Sequence, residues 1–287
     1  MFQKLSWLAL LAPLLAEGFV SPQTPASLPS SPSTTRLGLF GGSGAKIPSS
    51  PADRDNQAIA GVKAAIGKPK TRGFPLIECE FPPLVALNKL GDGSMRSAIE
   101  VDQANLAFCS KLIKSISVPL LGPKVWLLTS GGAANAFQSK AEKAVKGSAT
   151  VASLRNGIPE GISKGDVCIF ISPNGRGDYN VAKTLAETTA KAVVVVNGLA
   201  KDQDSVPGRA TMAYYLKPLT YNSQVAGYLI RSYPGQWTVL DAVTKKSLGS
   251  FSDNEILFGN SNTPDLRESG RLVQKSTDDR AIAARSR

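Results

Sequence analysis

Four short apolar runs constrain this chain more than any other feature: FPLIECEF (74–81), VWLLT (125–129), VCIFI (167–171) and AVVVV (192–196). Each has the length of a strand and is rich in β-branched or aromatic residues. Most show little apolar/polar alternation, so both faces of such a strand must be buried. The stretches between them carry apolar residues at helical spacing. Buried strands alternating with amphipathic helices predict a three-layer α/β fold, a mainly parallel sheet with helices on both faces.

The helices are legible from stripe and punctuation. Asp53 and Asp55 precede Ile59, Val62 and Ile66, and Gly67 with Pro69 stops the first helix. Ser97 and Glu100 suggest a capping box before a long helix whose core face is Ile99, Leu106, Cys109, Ile113 and Ile116. A third helix carries Ala134, Phe137, Ala141 and Val145, and a fourth Val181, Leu185 and Thr189; residues 150–154 read as a further short strand.

After Asn197 the pattern turns to β. Residues 212–217, 227–232, 237–243 and 248–251 predict antiparallel strands extending the sheet's edge, with Lys245-Lys246 as a hairpin tip. Residues 259–287 are polar and read as a loosely attached helix or a disordered tail, leaving 53–258 as the single domain.

The first 52 residues have a different character. Lys4 and an apolar run from Leu5 to Leu15 lead to Ala16-Glu17-Gly18, which reads as a signal peptide over 1–18. Residues 19–52 contain no acidic side chain and are crowded with Ser, Thr and Pro, the composition of a disordered transit peptide. A signal peptide followed by Phe19 and an acid-free stretch resembles the bipartite leaders of algae whose plastids arose by secondary endosymbiosis. That resemblance implies a plastid address, in the stroma or at the thylakoid periphery.

Composition excludes several chemistries. The chain has no histidine, which removes Ser/His/Asp and Cys/His machinery and imidazole metal sites. Cys79, Cys109 and Cys168 are too far apart for a zinc knuckle or a redox pair and read as buried thiols. No cofactor or metal is expected. The net charge of +11 favours acidic partners through its field.

In an open parallel sheet, ligands bind beyond the carboxyl ends of the strands. The candidates there are Ser130 and Gly131 after VWLLT, Ser172 to Asp178 after VCIFI, and Asn197 after AVVVV. In the middle group, Asn174, Gly175 and Gly177 could turn backbone N–H groups toward a ligand, and Arg176 could pair a phosphate. Asp178 argues the other way, since a carboxylate at a helix start can satisfy those donors itself. The 129–132 segment matches neither G-x-G-x-x-G nor the P-loop pattern. Glu78 and Glu80 share one side of a strand, where a carboxylate pair could do acid/base work; a solvent-exposed strand end explains them equally.

Two groups are candidates for partner contact. Lys140, Lys143 and Lys146 recur at helical spacing, a solvated basic face or a contact to anionic lipid or nucleic acid. Arg231 and Tyr233 flank a Pro-Gly turn as surface candidates, while Trp237 packs beneath it as core.

Segments 214–219 (YYLKPL) and 231–237 (RSYPGQW), following Asn197, carry a family resemblance. Together with the approach from Ala64 to Pro83 and with Ser172-Pro173, they resemble a domain of unknown function shared by cyanobacteria and plastids, over about residues 54–258. Its members resemble photosystem II assembly factors of the low-photosystem-II-accumulation type, and one copy is fused to a plastid adenylate kinase. The resemblance implies an assembly or maintenance factor that binds proteins of the photosynthetic apparatus; the missing catalytic motifs make it non-catalytic, and the basic surface would promote peripheral contact with anionic thylakoid lipid. It carries over no catalytic residue. The alternative is a small-molecule or nucleotide-phosphate binding protein or enzyme using the loop at 172–178. Nucleic acid is disfavoured because basic and aromatic residues do not interleave into a stacking surface.

Overall fold

The computed structural model describes residues 45–82, 98–117, 122–198, 209–253, 256 and 263–286. The signal segment, most of the transit segment and Ser97 of the expected capping box lie outside them.

Helix α1 (Pro51–Gly67) opens where sequence chemistry places a start. The Ser50 side chain accepts the Asp53 N–H, Pro51 fills the first turn, and Lys68 closes the other end. Strand β1 (Leu76–Glu80) follows, then α2 (Ala98–Ile116), β2 (Val125–Thr129), α3 (Asn135–Ala144), β3 (Thr150–Ser153), β4 (Val167–Ile171), α4 (Arg176–Thr188) and β5 (Ala192–Val196). The second half is β6 (Thr211–Tyr221), β7 (Gln224–Ser232), β8 (Trp237–Asp241), β9 (Ser247–Phe251) and a final helix, α5 (Leu266–Arg285).

One sheet of nine strands runs in the order β3-β2-β4-β5-β1-β6-β7-β8-β9. The first six are parallel and β6 to β9 antiparallel, as the continuous and then alternating patterns predict.

On one face Ala58, Val62 and Ala65 of α1, Leu106, Cys109, Leu112 and Ile113 of α2 and Ala141 of α3 pack on Ile77, Leu127, Ile169 and Val194. The other face takes Tyr179, Ala182 and Leu185 of α4 against Leu76, Leu128, Phe170 and Val195. Fully burying one such aliphatic side chain contributes about 1.5–3 kcal/mol, so this three-layer contact dominates the fold's stability.

Helix α5 corrects the expectation of a loose tail. Its Val273 is buried against Leu229, Trp237 and Val239 in a cluster with Met212 and Tyr215. Met212 pairs with Glu78, two residues on from Leu76, so α4 and α5 share a face. A second correction concerns Ile99, 62% exposed at the start of α2 rather than on its core face. The domain also begins earlier than Asp53, since Ala45 and Ile47 pack against the first core cluster.

Candidate functional site

Strands β2 and β4 are neighbours, yet their chains leave in opposite directions. α3 packs on the face of α1 and α2, and α4 on the opposite face. The gap between the two loops is a switch-point crevice, the place where such sheets bind ligands. It brings Ser130 and Gly131 together with Asn174 and Asp178.

Asp178 closes that crevice. Its Oδ2 lies 2.6 Å from Ser130 Oγ and accepts the Asn174 N–H at 3.2 Å; its Oδ1 accepts the Gly131 N–H, also at 3.2 Å. Ser130 Oγ is 2.6 Å from Asn174 Oδ1 as well. A hydroxyl has one proton, so both contacts are satisfied when it goes to the carboxylate and the Asn174 amide turns its NH2 inward. Asp178 stands in the first turn of α4, whose N-cap, Gly175, has no side chain to offer, and reaches back to the residues before the helix and to the loop after β2. An anion entering here would meet a carboxylate already holding these donors. Arg176 and Gly177 are exposed on the outer side of the same turn.

A second network ties the ends of β1, β5 and β4. The Phe81 N–H donates to Asn197 Oδ1 (2.8 Å), Asn197 Nδ2 to Asn105 Oδ1 (2.7 Å), and Asn105 Nδ2 to Ser172 Oγ (2.6 Å). Ser172 and Asn197 both have φ of 47°, a left-handed conformation that the fixed hydrogen bonds help to hold. Sequence reasoning found Ser172 and Asn197 but missed Asn105, which is fully buried on α2. The signal was there: Asn105 stands four residues before Cys109 and eight before Ile113, a polar residue on the core stripe.

The remaining candidates are dispersed. Glu78 is 2% exposed in a central strand, which corrects the solvent-exposed strand-end expectation. Lys140, Lys143 and Lys146 are exposed on the outer face of α3 and just beyond it. Arg231 is corrected from surface to interior: it is 2% exposed and makes a two-pronged ion pair with Asp253, 22 residues onward. The guanidinium carbon is 5.3 Å from the centre of the Trp237 ring, and Trp237 Nε1 donates to Asp253 at 3.3 Å. Burial pushes the Asp253 carboxyl up, but the Arg231 hydrogen bonds and charge outweigh it and hold the pKa below the usual value. Tyr233 is half-buried, its hydroxyl donating to the Lys68 carbonyl.

A family model matches residues 48–255 over the two halves of the sheet just described. The chain belongs to the family Domain of unknown function (DUF1995). No curated protein and no solved structure matches it. The match takes in the switch-point crevice, the asparagine network and the Arg231 turn of this DUF1995 chain, and stops before α5.

The chemistry open to the DUF1995 domain at this crevice is narrow. A carboxylate is too weak a base to ionise the Ser130 hydroxyl near neutrality. All three cysteines are buried free thiols; burial raises each thiol's pKa, that of Cys168 to about 12, which removes the thiolate that reactivity needs. Among the described residues no acidic or thiol cluster could hold a metal ion, and no helix is long and apolar enough to cross a membrane.

Proposed function

We propose that this is a non-catalytic plastid protein that aids assembly or maintenance of the photosynthetic apparatus by binding other proteins. The observation that carries the non-catalytic part is the Asp178 carboxylate, which takes up Ser130 Oγ and the Gly131 and Asn174 N–H groups at the place where a ligand would sit. Two sequence features support the rest. The acid-free leader supports the plastid address, and the resemblance to photosystem II assembly factors supports the class of partner. The exposed Lys140, Lys143 and Lys146 supply a basic face for anionic thylakoid lipid or acidic protein surfaces.

Affinity purification from isolated plastids tests the partner, with photosystem subunits as the expected catch. Co-sedimentation with thylakoids tests the basic face: it should fall in high salt and in a Lys140→Glu/Lys143→Glu chain. A chain that stays in the supernatant at low salt and captures no photosystem subunit would sink the proposal.

A further inference from the structure

The parallel strands start in register. Val125 of β2 lies opposite Val167 of β4, Val167 opposite Ala192 of β5, and Val193 of β5 opposite Leu76 of β1. The loops that enter these four strands therefore run side by side along the amino edge of the sheet, about 5 Å apart. Backbone hydrogen bonds tie them together, from the Val167 N–H to the Lys124 carbonyl and from the Lys191 N–H to the Asp166 carbonyl, both 2.9 Å.

Each of the four loops carries an exposed cation: Lys124 before β2, Lys164 before β4, Lys191 before β5 and Arg72 before β1. Lys114 in the last turn of α2 and Lys146 just past α3 add two more. None of the six is in an ion pair among the described residues. A helix C-terminus attracts lysine for its own sake, which accounts for Lys114 and Lys146. The four loop cations have no such reason to share an edge.

The opposing charges are fewer and partly engaged. Asp166 is 4% exposed, and its oxygens accept from Trp126 Nε1 and from the N–H and hydroxyl of Ser163. Glu187 pairs with Arg209, just before β6. Glu142 on α3 and Glu160 earlier in the loop before β4 are exposed carboxylates on the adjoining elements. The carboxyl edge differs, for there Asp55 holds both Arg54 and Lys111.

Chemistry selects the occupant. A protein partner needs an apolar anchor. Of the large apolar side chains left exposed, Ile99, Val243, Leu266 and Ile282 stand on other elements, and Ile158 is three residues past Arg155, which lies beside Gly131 at the opposite edge. Single-stranded nucleic acid needs exposed rings to stack on. Phe74 and Trp126 at this edge are buried, with Arg209 and Lys124 over their faces. A row of cations without an apolar or aromatic anchor fits the headgroups of an anionic bilayer.

We infer that the amino edge of the parallel sheet is the surface that lies against an anionic membrane, with Arg72, Lys124, Lys164 and Lys191 meeting headgroup phosphates. A cleft of about 310 Å³ beside Lys124, lined by Gly147, Ser148 and Thr150 and by no carboxylate, has room for one of them. The carboxyl edge then faces away from the lipid. This rests on the lipid contact proposed above and moves its centre from the outer face of α3 to the end of the sheet.

The probe is a vesicle of one part phosphatidylglycerol to two parts phosphatidylcholine, with phosphatidylcholine alone as the baseline, and the full chain is followed by co-sedimentation. The anionic vesicles should hold the wild type at low salt and release it at high salt. Arg72→Gln/Lys164→Gln/Lys191→Gln should weaken that binding about tenfold or more, and by more than Lys140→Glu/Lys143→Glu does. All three side chains are exposed and in no ion pair, so the variant should fold, which its melting curve checks; Lys191→Glu alone is a second probe and should weaken binding about fivefold or more. Binding of the triple variant equal to that of the wild type would overturn the inference, as would tighter binding of the wild type to a DNA duplex than to the anionic vesicles at the same salt. The two levels fail differently. If only the α3 variant loses the vesicles, the edge is wrong and lipid contact stands. If the wild type binds anionic vesicles no better than neutral ones, both lipid readings fail, and capture of photosystem subunits decides the protein-binding part by itself.

Discussion

Asn105 on α2 and Asn197 at the end of β5 are joined by a 2.7 Å hydrogen bond inside the protein, with Asn105 wholly buried. This pair clamps a helix to the carboxyl edge of the sheet, and through Ser172 and Phe81 it fixes three strand ends at once.

Asn105→Ala should therefore destabilise the chain by about 1–3 kcal/mol, because it strands Asn197 Nδ2 and removes the donor to Ser172. Asn197→Gly should cost less than Asn197→Ala by about 1 kcal/mol, since only glycine adopts φ of 47° without penalty. Urea denaturation reads both. An Asn105→Ala chain as stable as wild type would show that the network is solvated instead.

How far this clamp was legible in the sequence is instructive. The strand ends were, because VCIFI and AVVVV must stop where Ser172 and Asn197 break the apolar run. Asn105 was legible only as a polar residue on the core stripe, because its spacing gives no hint of a partner 92 residues away. Arg231 failed for the same reason, as its carboxylate lies 22 residues onward beyond β9. Helix α5 was misjudged on its polarity. Only Ser269 and Val273 are buried along it, and its attachment depends on shape and on one buried carboxylate, neither of which an apolar count registers.

That carboxylate, Asp241, gives a pH prediction. Burial pushes its pKa up, but the Thr244 and Val243 amides, the Ser276 hydroxyl and Arg280 hold it down, from 3.8 to about 2. A group with a depressed folded-state pKa stabilises above its unfolded value and loses that contribution as pH falls through the folded one. The gap corresponds to about 2 kcal/mol, present above pH about 4 and lost toward pH 2. The stability difference between wild type and Asp241→Asn, measured in urea, should shrink across that window; a constant difference would show that Asp241 is not depressed.

The close approach of α5 gives a contrast between two glycines. A Cβ at Gly227 would lie 2.5 Å from Val273 Cγ2 and 2.8 Å from the Leu240 carbonyl oxygen, whereas one at Gly249 would meet only the far end of Leu272, at 2.8 Å. Backbone cannot step aside but a leucine tip can. Gly227→Ala should cost about 1–3 kcal/mol and Gly249→Ala under about 1, read from melting curves. Val273→Ala should rescue Gly227→Ala only in part, since the carbonyl clash remains. Equal costs at the two positions would mean that α5 is not held as closely as its contacts indicate.

The last prediction concerns whether the crevice is closed by its own carboxylate. Asp178→Ser should lower stability by about 1–3 kcal/mol, since Ser130, Gly131 and Asn174 lose a shared acceptor. It should also create what the wild type lacks, because the Gly131 and Asn174 N–H groups, freed of the carboxylate, are then open to an anion at the head of α4. Inorganic phosphate should raise the melting temperature of Asp178→Ser and leave that of the wild type unchanged. The two arms separate the readings. A phosphate shift in the variant alone means that Asp178 serves as an internal substitute for an anion, and the switch point is a structural joint. A shift of the same size in the wild type would mean that Asp178 gives way to a ligand, and the crevice would have to be reopened as a phosphate site.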